Sequence, residues 1–187
     1  MNTKREQILD TALKLFVANG FHATPTSRIA KDAGVATGTL FHYFRTKEEL
    51  INTLYLETKD NLTNSLLENV NVQETLKAKL RQIFFNYIVW AVDHPNHQQF
   101  YTSYSNSPFI TNLTRELGLQ RFQFIYELIE KGQDEDILKA VPIDLLVEAM
   151  QGLLNGIIKH LMENPEKMNE EKYQNDAFKL FWDTIKG

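Results

Sequence analysis

The sequence predicts an all-α protein: a small N-terminal head of three helices followed by a larger helical body. Three observations carry this. Apolar residues recur at helical spacing, as in Ile8, Leu9, Ala12, Leu13 and Phe16. No stretch alternates in the manner of a strand, and no repeat or flexible linker interrupts the chain. Finally, Thr26 to Lys47 (TSRIAKDAGVATGTLFHYFRTK) reads as two short helices around a tight turn and the start of a third.

The first helix is expected from about Thr3 to Ala18, ended by Asn19-Gly20. Phe21 then plugs the small core beneath the next two helices. Ala30 allows close crossing of those helices, and Gly34 supplies the left-handed backbone that ends the second one. Ile29, Ala33, Val35 and Leu40 are the apolar set between them, and Thr26 and Thr37 are positioned to cap their N-termini. The third helix spans about Thr37 to Phe44. It is too short and too polar to be a core element.

Its composition suits contact with duplex DNA. Thr37, Gly38 and Thr39 form a small, polar leading edge that can approach a major groove closely, and His42 and Tyr43 bring longer polar arms. Phe44 is expected in the core, whereas Phe41 packs internally or against sugar and a thymine methyl. Thr46 and Glu49 form a capping box for the fourth helix, Glu49 returning to Thr46. Lys47 lies in that helix's first turn, where a phosphate would meet both its ammonium and free N–H groups; a solvated surface lysine is the alternative.

Charge agrees with this reading. The chain of 187 residues carries a formal net charge of −4. Residues 1–47 hold seven Lys/Arg against three acids, while residues 48–187 hold 13 basic and 21 acidic residues. Only the head is basic, as expected of a DNA-reading unit on an acidic body. The absence of cysteine excludes disulfides and thiolate metal sites. The opening MNTKREQILDTALKLF is amphipathic and contains acids, unlike a signal peptide, and no apolar run reaches the roughly 18 residues that span a bilayer. The expected location is the cytoplasm.

The fourth helix is expected from Lys47 to about Glu68, linking head and body, so that the boundary falls between residues 1–46 and 47–187. Asn71 with Glu74 opens a fifth helix reaching Val92, and a short helix follows from Asn96 to Ser105. Ser107-Pro108 starts the next, which runs to about Lys131 and stops at Gly132. GQDEDILKAVP is a loop or partly disordered bridge. Two long helices complete the chain, one from Pro142 to about Asn164 and one from Glu170 to Ile185.

Those two helices are apolar over more than one stripe, so a second face needs a partner. Two-fold pairing of copies is expected through Met150, Leu153, Leu154, Ile157, Ile158, Leu161, Phe178, Phe181 and Trp182, with Gly152 and Gly156 permitting close crossing. Pairing would also place two reading helices in successive major grooves, about 34 Å apart. The middle helices mix aromatic with polar residues. Asn86, Tyr87, Trp90, Phe100, Tyr101, Tyr104, Phe122, Tyr126, Gln151 and Asn155 are candidates to line a cavity for a small apolar or aromatic effector; ordinary core packing is the alternative. A ligand that favoured one spacing of the two heads would lower affinity for DNA.

His94 and His97, with Asp93 adjacent, invite a metal reading, but Pro95 intervenes and no cysteine supports it. No metal or cofactor is expected. The chain has no Gly-rich phosphate loop, no G-x-S-x-G elbow and no H-E-x-x-H, so an enzyme is the weaker class, behind a helical protein-binding adaptor.

The stretch ILDTALKLFVANGFHATPTSRIAKDAGVATGTLFHYFRTKEELI resembles the TetR family of bacterial transcriptional regulators. The resemblance implies an omega-shaped homodimer with nine or ten helices per subunit, which usually represses transcription when free of ligand and reads a palindromic operator through its third helix. It places Thr26, Ala36, Thr37, Gly38, Thr39, Phe41, His42 and Lys47 where relatives commonly touch DNA, with Arg28 near the groove. His42 stands where tyrosine is frequent, and Ala36 where a hydroxyl is frequent.

Overall fold

The structure, a computed structural model, describes residues 3–187. Its helices are α1 (Lys4–Asn19), α2 (Thr26–Asp32), α3 (Thr37–Tyr43), α4 (Lys47–Leu67), α5 (Leu76–Asp93), α6 (Pro95–Tyr104), α7 (Asn112–Gln120), α8 (Gln123–Asp134), α9 (Ile143–Glu163) and α10 (Glu171–Ile185), with a 3-10 turn at Pro165–Asn169. Among the described residues there is no strand, only an isolated antiparallel bridge between Leu138 and Lys186. The all-α expectation holds.

The chain divides into two compact units. One contains the residues up to Asn61 together with His94–Gln120; the other contains Leu62–Asp93 and Arg121–Gly187.

In the first unit, α1 opens with a reciprocal cap. Thr3 Oγ1 accepts from Glu6 N–H at 3.2 Å, and Glu6 Oε2 accepts from Thr3 N–H at 2.8 Å. Gly20 ends the helix at φ +76°. The expected stripe is buried, with Ile8, Leu9, Ala12, Leu13 and Phe16 all inside. A fully buried Phe such as Phe16 contributes roughly 2–3 kcal/mol of transfer free energy. α6 packs on this helix: the Tyr104 hydroxyl donates to the Phe16 carbonyl at 3.2 Å, and Phe100 stacks on Tyr104 with ring centroids 4.8 Å apart. Thr24, fully buried, fixes the α1–α2 turn by donating to the Gly20 and Leu15 carbonyls at 2.8 and 3.2 Å.

In the second unit, α5 packs against α9, and Phe84 meets Phe178 and Phe181 with centroids 5.5 and 5.0 Å apart. Residues 137–139 are tied to the chain's end, where Lys139 N–H donates to the Ile185 carbonyl at 2.9 Å and Gly187 N–H to the Ile137 carbonyl at 3.0 Å. The expected loop after Gly132 is therefore an ordered bridge.

Several boundaries differ from expectation. α5 begins at Leu76, because Asn69 (φ +58°) terminates α4 and Thr75 Oγ1 accepts from Ala78 N–H at 3.1 Å. Asn71 and Glu74 precede the helix. Ser107-Pro108 forms a turn, and Thr111 Oγ1 caps α7 by accepting from Thr114 N–H at 3.2 Å. The single helix expected to Lys131 is two, broken at Arg121-Phe122 without any Gly or Pro. Gly132 does not stop α8. A Cβ there would stand 2.6 Å from Leu76 Cδ2 and Leu138 Cδ1, so this glycine serves close packing.

Candidate nucleic-acid interface

The turn between α2 and α3 is a Schellman motif. Gly34 takes φ +69° and donates to the Lys31 carbonyl at 3.1 Å, and Val35 N–H donates to the Ala30 carbonyl at 3.0 Å. Ile29, Ala30 and Leu40 are buried beneath the turn, and Phe44 closes the far end of α3 inside the core. These anchors leave the opposite side of α3 outward. Ala36, Thr37, Gly38, Phe41, His42 and Tyr43 are exposed, and Thr39 is half-buried.

The expected caps sit one position off. Thr26 and Thr37 are the first helical residues; the N-cap positions belong to Pro25 and Ala36, neither of which makes a side-chain cap. A hydroxyl at the first helical position points away from the amides that an N-cap oxygen would reach. The first-turn N–H groups of α3 thus receive no acceptor from Ala36.

At α4, Thr46 Oγ1 accepts from Glu49 N–H at 2.9 Å, but Glu49 Oε2 accepts from Arg45 N–H at 2.8 Å, one residue before the expected partner. Lys47 is held closely. Its ammonium donates to the Phe21 carbonyl and lies 4.0 Å from the centroid of the Phe21 ring. Partial desolvation lowers its pKa, opposed by the charge of Glu48. Arg28, exposed, pairs with Asp32 at 3.6 Å. His42 and Tyr43 meet edge to face, with centroids 5.5 Å apart.

The expected effector residues are divided between the two units. Phe100, Tyr101 and Tyr104 are buried in the first unit, Tyr101 stacking with Tyr55 at 6.4 Å. There they pack α6 against its neighbours. In the second unit Tyr87 and Trp90 are buried with rings 6.1 Å apart, while Phe122, Tyr126, Gln151 and Asn155 are half-buried. Asn86 serves the fold directly. Its amide donates to the Leu66 and Glu68 carbonyls at 3.0 and 2.8 Å, closing the end of α4. A separate cavity of about 330 Å³ is lined by residues outside the expected set, among them Leu76, Lys79, Leu128, Lys131 and Ile137.

Of the expected pairing residues, Met150, Leu154, Ile157, Ile158, Leu161, Phe178 and Phe181 are buried within the single chain, and Leu153 and Trp182 are half-buried. They form the inner stripe of α9 and α10. The outer stripe of α9 is Leu145, Ala149, Gly152 and Gly156, with Met162 exposed to one side of it, and α10 exposes Leu180. Sequence reasoning also passed over Lys59, buried at 3% exposure, and Asn52, which bonds the segment after α6. Lys59 carried a signal, a charge lying on an otherwise apolar stripe.

With this geometry in place, residues 8–54 match the family model described as "Bacterial regulatory proteins, tetR family". A tetR-family transcription regulator from Shewanella sp. PV-4 is 36% identical over the whole of both chains and superposes with a TM-score of 0.93. The fatty acid metabolism regulator protein of Bacillus subtilis (strain 168) is 26% identical over 95% of this chain and 93% of its own. The transcriptional regulator FadR from Bacillus subtilis in complex with stearoyl-CoA shares the fold, with a TM-score of 0.73 at 22% identity over 96% of this chain and 98% of its own. The chain belongs to the TetR family of bacterial regulatory proteins, which are ligand-responsive, DNA-binding transcriptional regulators. Among the described residues no helix is long and apolar enough to cross a membrane.

Proposed function

We propose that the protein is a cytoplasmic repressor that pairs as a homodimer on a palindromic operator and leaves it when a small apolar effector binds. The outward edge of α3 carries this reading: Thr37, Gly38, Phe41, His42 and Tyr43 are exposed while Leu40 and Phe44 anchor the helix from behind. Residues 1–46 read DNA, with Thr26, Arg28, Ala36 and Thr39 supplying further contacts; residues 47–187 bind effector and pair, and Lys47 at their start adds a phosphate contact. Pairing uses the outer stripe of α9, where among the described residues nothing beyond the adjoining helix backbone comes within 4 Å of a notional Cβ on Gly152 or Gly156, together with Leu180 of α10.

An apolar tail is the favoured effector feature. Its support is a relative named for fatty acid metabolism and a fold neighbour bound to stearoyl-CoA, beside the concentration of Tyr87, Trp90, Phe122 and Tyr126 in the second unit. A long-chain acyl thioester is therefore the first probe. Duplexes selected from a random pool are titrated with the full chain by fluorescence anisotropy, alone and with stearoyl-CoA or coenzyme A. Binding to a two-fold symmetric site that is weakened only by the acyl compound supports the reading. Indifference to sequence and symmetry, or equal DNA affinity with every apolar ligand shown to bind, overturns it.

A further inference from the structure

Phe109 lies in the connection between α6 and α7, and its ring stacks on Phe21 with centroids 4.0 Å apart and planes inclined by 19°. His22 meets Phe109 edge-on at 4.9 Å. Phe16 also stacks on Phe21, with centroids 5.7 Å apart, and the Lys47 ammonium rests against the Phe21 ring and donates to that residue's carbonyl. The connection is itself fixed. Asn52 of α4 donates to the Phe109 carbonyl at 2.9 Å and accepts from Thr111 N–H at 2.9 Å, and its amide also donates to the Glu48 carbonyl at 2.7 Å. Arg115 holds the loop's shape by donating to the Ser105, Ser107 and Ile110 carbonyls.

A lysine on an open surface samples many rotamers and loses that freedom when it meets a phosphate. An ammonium already seated on a carbonyl and a ring face has less to lose, and two of its three N–H donors remain for an anion. We propose that Phe109 is a positioning residue for DNA binding: by stacking on Phe21 it fixes the platform that seats the Lys47 ammonium, so a side chain between α6 and α7 sets the strength of a phosphate contact at the start of α4. The inference rests on the reading of Lys47 as a phosphate contact. Because phosphate contacts carry no base information, seating of this connection tunes affinity and leaves sequence preference alone.

The test is a double-mutant cycle on the full chain: wild type, Phe109→Ala, Lys47→Ala and the pair, titrated with operator and scrambled duplexes over a salt series, with circular dichroism melts confirming the fold. Phe109→Ala is expected to weaken both duplexes by roughly three- to tenfold and to add no loss where Lys47 is already absent; Phe109→Tyr restores binding. An equal loss with and without Lys47, or no loss in a folded Phe109→Ala protein, overturns the proposal while leaving the Lys47 reading intact. Unchanged affinity in Lys47→Ala overturns that reading and the proposal together. If Phe109→Ala fails to fold, Phe109→Leu, which keeps apolar bulk and removes the stacked ring, takes its place in the cycle with the same expectations.

Discussion

Lys59 Nζ donates to the Gly118 carbonyl at 3.0 Å, joining α4 to the last turn of α7, with both residues buried. The ammonium also lies 5.5 and 5.7 Å from the Tyr55 and Tyr101 ring centroids. It thus meets the negative end of a helix and two electron-rich faces. The approach depends on a missing side chain, since a Cβ on Gly118 would stand 3.0 Å from Lys59 Cδ and from Tyr55 Cε1. Gly118→Ala is expected to destabilise the protein by about 1–3 kcal/mol through overpacking. Urea unfolding checks this; an unchanged midpoint would show that the lysine stem yields freely.

At the DNA edge, Thr39 and Lys47 are expected to behave differently. Thr39→Ala should alter the ranking of operator variants, because Thr39 lies in the first turn of α3. Lys47→Ala should weaken every duplex alike and lower the salt slope by about 0.9 per protomer. Anisotropy titrations over an operator panel at several salt concentrations separate the two. Identical rankings for Thr39→Ala and wild type would remove Thr39 from the base-reading set.

His97 gives stability a pH dependence. Burial lowers its pKa below the ordinary 6.5, the nearby His94 charge lowers it further, and Asp10 opposes both. The folded state therefore prefers neutral imidazole. Its contribution is complete above about pH 6.5 and is lost as pH falls through the lower, folded-state pKa, where the unfolded chain binds the extra proton. The denaturation midpoint should fall between pH 7.5 and 5.5 in wild type, and by less in His97→Gln. A drop of equal size in both proteins would assign the effect to other groups.

Gly156 provides a clean test of pairing. Among the described residues, nothing beyond the adjoining backbone of α9 itself lies within 4 Å of a Cβ built there, so Gly156→Arg fits the isolated protomer but obstructs a copy approaching α9. Sedimentation velocity should show dimer for wild type and monomer for the variant, with pairing weakened by roughly a hundredfold. Affinity for a full palindrome should drop toward that of a half-site. A variant that still dimerises would place the interface elsewhere.

Much of the fold was legible because local chemistry announced it. The Gly34 turn, the buried stripe of α1 and the start of α4 follow from residues adjacent in sequence. What escaped depends on residues distant in the chain. Nothing in Leu119-Gln120-Arg121-Phe122 breaks a helix, yet α7 and α8 separate there. Thr26 and Thr37 look like caps because hydroxyls favour helix starts, but the backbone turns helical one residue earlier. Periodicity located two apolar stripes on α9 without telling inner from outer: Met150 and Ile158 pack inside, whereas Leu145 and Ala149 remain outside. The aromatics of α6 were open to two readings because a cavity wall and a packed core use the same side chains. The outward edge of α3 was more readable, since small polar residues on a seven-residue helix favour solvent over core.

The buried face of α6 also bears on how such a regulator can be cut and recombined. Phe100, Tyr101 and Tyr104 lie against neighbours within the first unit, with Tyr104 bonded directly to α1. A chimaera that transplanted only the N-terminal 46 residues would uncover the α1 surface that these rings cover and leave the Phe16 carbonyl without its phenol. A graft that extends to Asn61 and brings His94–Gln120 along as a second, non-contiguous piece keeps the first unit whole.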